Sequence, residues 1–172
     1  MSRTRLNQQK ISTLAKTASF LVRQWHRLPD TRIAHEILRE GLRKLHDCAE
    51  SHRGDKKYLG HADWSKAALR ELRLASGDIE KAKLRLRHEH VVPVKVVVDL
   101  MVELGRQATS ESCEEVIRRF SRVAIITRDE DKLFGKAHLS NSMPEDWDRR
   151  DIWARYKLVG LYGKITNAKQ SG

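Results

Sequence analysis

Along the front of the chain the apolar positions recur every three or four residues. Ile11, Leu14, Ala15, Ala18, Val22 and Trp25 share one face, which predicts an amphipathic helix over about residues 7–27. Pro29 cannot continue that helix. Asp30 or Thr31 is placed to cap a second one, whose stripe is Ile33, Ile37, Leu38, Leu42 and Leu45 and which reaches Cys48 or Ala49. So short a link predicts an antiparallel helical hairpin. Residues 51–62, with Arg53-Gly54-Asp55 and Gly60, read as a loop. Asp63 then caps a third helix with Trp64, Ala68, Leu69 and Leu72 inward, and Ser76-Gly77-Asp78 breaks it.

The pattern changes in the second half. Residues 79–92 fit two periods: Ile79, Ala82 and Leu86 suit a helix, whereas Leu84-Arg85-Leu86-Arg87 alternates as a strand does. Val91-Val92 before Pro93 leans extended, because a residue preceding proline avoids the helical region. Pro93 suits the first position of a helix with Val97, Leu100, Met101 and Leu104 on one face and Gly105 as its stop. Ser112 with Glu115 forms a capping box for a helix whose inner side is Cys113, Val116, Ile117 and Phe120. Val123-Ala124-Ile125-Ile126-Thr127 is short, β-branched and apolar, the signature of a buried strand. Thr127 with Glu130 caps a helix that follows directly and ends near Gly135. Residues 136–146 read as a loop, and a last helix spans about 148–159 with Ile152, Trp153, Tyr156 and Val159 inward. The tail after Gly160 reads as loose.

These elements predict an α+β fold, mostly α-helical: an N-terminal helical hairpin beside a small module with one or two short strands. The buried strand at 122–127 is expected to pair with the extended segment near 89–92. The expected organisation is a basic helical region over 1–78, a compact α+β module over 79–160 and a tail over 161–172.

Charge narrows the function classes. The chain has 172 residues, a formal net charge of +11 and a pI near 10.0, which favours a polyanionic partner. The surplus is uneven: residues 1–92 hold 20 Lys and Arg against 11 Asp and Glu, and residues 93–172 hold 14 against 12. Arg23 and Arg27 in the first helix and Lys56 and Lys57 in the loop belong to that basic field, as do Arg39, Arg43 and Lys44. Such residues, spread along helices, suit a phosphate backbone without base readout. Cys48 and Cys113 form no CxxC pair, which excludes a cysteine zinc knuckle. The first ten residues lack the apolar core of a signal peptide, and no run approaches the roughly 20 apolar residues of a membrane helix. A cytoplasmic protein with no membrane partner is expected.

The richest chemistry lies in Arg85-Leu86-Arg87-His88-Glu89-His90-Val91-Val92-Pro93. Histidine and glutamate bind divalent metals and move protons near neutral pH, and arginine holds phosphate. Glu89-His90-Val91-Val92-Pro93 resembles the opening of the HNH, or ββα-metal, nuclease motif. The resemblance implies a rigid strand that holds Mg²⁺ or another divalent ion through Glu89, with His90 as general base toward the attacking water. His88 stands beside them, and Arg85 and Arg87 would hold phosphates. The family also calls for an Asn and a second metal-binding His on a following helix. Here the nearest such residues are His138 and Asn141, in reversed order, and the family's glycine-rich turn is missing. Arg85-x4-His90 also resembles the short motif of helical HEPN ribonucleases, which cut RNA without metal.

Thr127-Arg128-Asp129-Glu130-Asp131 gathers carboxylates after the buried strand, where acids compensate a helix dipole, and Asp129 is a second candidate for completing a metal site with His138. Two readings follow. One is a nucleic-acid-directed protein, a metal-dependent HNH-like nuclease of the kind used by phage or mobile elements, acting on DNA or RNA. The other is a non-enzymatic basic module that binds nucleic acid or an acidic surface on a protein of a nucleic-acid-processing complex.

Overall fold

The computed structural model describes residues 8–46, 58 and 60–167. Lys56, Lys57 and Cys48 lie outside the described residues.

The helical hairpin is present. Helix α1 (Gln8–Gln24) buries Ile11, Leu14, Ala15, Ala18 and Val22, and a single 3₁₀ turn carries Trp25–Arg27. Asp30 caps α2 (Thr31–Leu45), its side chain accepting from the Arg32 N–H. The two helices meet closely at Gly41, where a Cβ would stand 2.6 Å from Leu14 Cδ1. The buried stripe of α2 is Ala34, Leu38, Leu42 and Leu45. Ile33 and Ile37, expected inward, are 63% and 48% exposed, because Ala34 and Leu38 set the inward line one residue later.

Asp63 does not cap a helix. Asp63–Ser65 is strand β1, and Ser65 caps α3 (Lys66–Leu74) instead, its Oγ accepting from the Ala68 N–H at 3.0 Å. The Asp63 carboxylate receives both ends of the Arg122 guanidinium, at 2.7 and 2.9 Å. A short α4 (Ile79–Ala82), capped by Asp78, leads into β2 (Leu86–His90), so the ambiguous stretch divides into one helical turn and a strand.

Pro93 sits at the N-cap of α5 (Val94–Val102) rather than at its first position. Helix α6 (Ser110–Phe120) uses Thr109 and Ser112 as its capping box in place of the expected Ser112 and Glu115. Strand β3 (Val123–Thr127) and α7 (Arg128–Lys136) follow the predicted order, with the Thr127–Glu130 capping box intact and the helix running one residue beyond Gly135. Glu130 also accepts from Ser65 Oγ at 2.6 Å, which ties α7 to the start of α3. The last helix, α8 (Ala154–Leu158), is shorter than expected. Asp148 and Asp151 accept from nearby backbone N–H groups in turns before it.

The residues after Gly160 are not a loose tail as far as Asn167. Ile165–Asn167 forms β4 and pairs antiparallel with β1. The sheet has four strands in the order β2-β3-β1-β4. β1 runs parallel to β3, and β2 pairs antiparallel with β3, with His88 opposite Ile125 and His90 opposite Val123. The partner of the buried strand is therefore 86–90, slightly earlier than the 89–92 expected. The sheet takes strands from both sides of residue 78 and of residue 160.

The fold is α+β and mostly helical. One apolar core joins α1 and α2 to α5 and α6; two smaller ones lie around the sheet, one with Trp64 and Leu86, the other with Phe134 and Tyr156. No helix among the described residues is long and apolar enough to cross a membrane.

In the third core the Tyr156 ring is fully buried, but its hydroxyl has no hydrogen-bond partner among the described residues. Tyr156→Phe removes an unsatisfied polar atom and keeps the ring. Urea unfolding is expected to show a stability unchanged or raised by up to about 1 kcal/mol.

Candidate functional site

β2 is an edge strand, and its alternation decides what the site holds. Leu86, His88 and His90 project to one face, and Arg87 and Glu89 to the other.

On the Glu89 face lies a buried guanidinium. Arg155 in α8 is 0% exposed and donates to the carbonyls of Val91 and Leu139, each at 2.9 Å, to the His90 carbonyl, and to Glu89 Oε1. It also lies 4.3 Å from the centre of the Phe134 ring. Burial pushes the Glu89 carboxyl above its ordinary range, and Arg155 pulls the other way. Arg87 donates to Asp131 Oδ2 at 3.0 Å, and Asp131 is near enough to Glu89 to disfavour its charge further. The carboxylate expected to ligate a metal is thus held by Arg155.

On the other face stand four imidazoles. His88 and His90 come from β2, their ring centres 5.6 Å apart. His46, the C-cap of α2, is 5.3 Å from His90 and 6.2 Å from His88. His61 precedes β1 and is 4.8 Å from His88 and 6.2 Å from His46. Ser121 Oγ meets His46 Nε2 at 2.8 Å, and the Trp64 indole N–H donates to the His61 carbonyl at 3.0 Å. Burial lowers the His46 pKa to about 3, with His61 adding to the effect. Burial also drives His90 well below its ordinary value, aided by His46, His88, Arg155 and Arg43. At neutral pH both are uncharged, each with a lone pair to offer.

A cleft of about 660 Å³ runs along the free edge of β2 and reaches residues of both faces. His88, Glu89 and His90 line it together. Six cations, Arg39, Arg43, Lys44, Arg87, Lys95 and Lys132, face three anions, Glu40, Glu89 and Asp131. The lining has three more cations than anions, and each cation also pairs with a carboxylate.

The other expected residues are scattered. Arg85 pairs with Glu71 at 3.5 Å on the surface, and Arg23 donates to the Ala108 carbonyl between α1 and the turn before α6. Neither they nor Arg27 line the cleft. Asp129 points to solvent and pairs with Lys132 at 2.7 Å; its neighbour Asp131 lines the cleft instead. His138 closes α7 in the left-handed region, at φ 57°, and is not part of the lining, although Asn141 is. Glu89, Asp129 and His138 therefore form no ligand set. Among the described residues, no group of three or more His, Cys, Asp or Glu side chains is already set to hold a metal ion.

Sequence reading missed His46, His61, Asp131 and Arg155 as site residues. Arg155 left one trace, a cation beside Tyr156 and Trp153 on an otherwise apolar face. The two histidines left none, because folding alone brings them to β2. Comparison with protein-family models, curated proteins and solved structures finds no match to this chain.

Proposed function

We propose that the chain is a nucleic-acid-directed protein that binds a phosphate backbone in the cleft beside β2 and cuts it there. The observation that carries this reading is the cleft itself, which six cations and three anions line together with His88 and His90. A neutral imidazole with its β2 backbone fixed against β3 suits a general base. The surrounding cations suit the charge that builds on a phosphate during transfer.

The HNH resemblance gains one topological support. β2 and β3 pair antiparallel and α7 follows β3, so strand, strand and helix form a ββα unit, with α5 and α6 inserted between the strands. In this unit α7 offers Asp131 near Glu89, where the resemblance calls for a histidine. A divalent ion on that face has to displace Arg155 from Glu89.

Arg155 favours the second reading, a module that binds without cutting, because it occupies the expected ligand. One experiment separates the two. The protein is incubated with supercoiled plasmid and with RNA, in Mg²⁺, in Mn²⁺ and in EDTA. Cutting that EDTA abolishes supports the metal-dependent nuclease; cutting that persists in EDTA leaves imidazole chemistry alone. Binding without cutting supports the module, and no binding at low salt removes both.

Binding carries its own prediction. Arg43 lies in α2 at the cleft, and its pairing with Glu40 at 3.5 Å is a surface contact of little energy. Arg43→Ala is expected to weaken duplex binding about eightfold at 0.1 M salt, and to reduce the slope of log affinity against log salt by about 0.9. Fluorescence anisotropy over a salt series measures both.

A further inference from the structure

Beyond that reading, and independent of whether the chain cuts nucleic acid, we propose that His46, His61 and His88 hold one transition-metal ion of the zinc type. The three side chains come from three separate segments: the end of α2, the loop before β1, and β2. The ion would clip these segments together.

Ring spacing is the main support. A zinc–imidazole bond is about 2.0–2.1 Å, and a ring centre lies about 1.1 Å beyond its nitrogen, so about 3.2 Å from the ion; tetrahedral angles then set ring centres about 5.2 Å apart. Here the three separations are 4.8, 6.2 and 6.2 Å. His61 and His88 are already at ligand spacing, and His46 has to approach by about 1 Å. The nitrogens are not yet convergent, but an imidazole turns about a broad terminal torsion, and that turn changes which nitrogen faces inward far more than it moves the ring.

Ligand chemistry agrees. Ser121 Oγ engages Nε2 of His46, which leaves Nδ1 as the nitrogen to bind a metal; an outer hydrogen bond of this kind fixes a metal-binding ring. Trp64 holds the backbone of His61 through its indole N–H.

These three include the closest ring pair, His61 and His88 at 4.8 Å, and His46 is a ring that meets both. His90 thus stands beside the metal corner, 5.3 and 5.6 Å from His46 and His88, and stays available as a base. An all-nitrogen set selects Zn²⁺, Co²⁺, Ni²⁺ or Cu²⁺ and disfavours Mg²⁺, which takes oxygen ligands. Three protein ligands leave a fourth position open.

The test uses the full chain, stripped with EDTA, and zinc alone. Competition with a chromogenic chelator is expected to give one tight zinc site, and Co²⁺ is expected to give the intense visible bands of a four-coordinate ion. His61→Gln and His88→Gln should each weaken zinc binding at least about 100-fold, and Ser121→Ala about tenfold, with circular dichroism unchanged. His138→Gln should bind as the parent does. The proposal is overturned if the parent takes up no zinc at micromolar concentration. It is equally overturned if His61→Gln and His88→Gln both bind zinc like the parent. If either of those variants fails to fold, the cobalt spectrum of the parent decides: bands of a six-coordinate ion overturn the site. A protein that binds zinc but never cuts or binds nucleic acid keeps this site and loses the nuclease reading. One that cuts without taking up zinc does the reverse.

Discussion

Arg155→Met is expected to cost the fold about 3–5 kcal/mol, measured by urea unfolding. Arg155 is 0% exposed, and its three nitrogens serve four acceptors: the carbonyls of Val91, His90 and Leu139 and the carboxylate of Glu89. Methionine fills the aliphatic space but donates nothing. Three backbone carbonyls then lose a donor, and Glu89, with only 20% of its side-chain surface exposed, loses its counter-charge. Glu89 already sits where burial disfavours its ionised form, so losing Arg155 pushes the lone carboxyl further toward its protonated form. Glu89→Gln alone leaves the guanidinium with its three carbonyls and should cost less than Arg155→Met. The double variant Glu89→Gln/Arg155→Met should recover part of the loss, because it removes the uncompensated carboxylate. A single-variant cost below 1 kcal/mol would mean that Arg155 does not hold the end of β2, where His90 stands.

Local chemistry was legible in the sequence, and long-range pairing was not. The stripe of α1 and the capping box of Thr127 and Glu130 depend on neighbours three or four residues away, so their spacing is visible in the chain. Asp63-Trp64-Ser65 looks like the start of a helix because Asp and Ser are capping residues. What makes it a strand is pairing with Ala124 and Ile125, about sixty residues later, and with Ile165–Asn167. No local period records that. In α2, Ile33 and Ile37 looked inward for their size, yet small Ala34 faces the core and the isoleucines face out. The site follows the same rule. Residues 79–92 fitted two periods in the sequence, and pairing with β3 is what fixes the alternation that sets His88 and His90 on one face and Glu89 on the other. That His46 and His61 join them, and that Arg155 claims Glu89, depends on tertiary packing alone.

If the cleft cuts phosphodiester bonds, His90→Ala is expected to lower the cutting rate by about 10²–10⁴-fold, the range for losing a positioned general base. The loss should fall on kcat. The cleft cations Arg39, Arg43 and Lys44 come from α2, and Arg87 from the opposite face of β2, so truncating the His90 ring leaves them in place. Affinity and its salt slope should therefore stay within about twofold of the parent, in contrast to Arg43→Ala, which moves both. The His90 backbone is held by its pairing with Val123 and by Arg155, so truncating the ring leaves the strand in register. His138→Ala gives the matched control, since His138 lies outside the cleft and should retain full rate. Single-turnover cutting of a labelled duplex and of a labelled RNA, beside anisotropy on the same substrates, measures rate and affinity separately. A His90→Ala protein that keeps more than a third of the parent rate removes His90 from the chemistry and leaves the cleft as a binding surface. A protein that loses rate and affinity together assigns the imidazole to substrate binding instead of proton transfer.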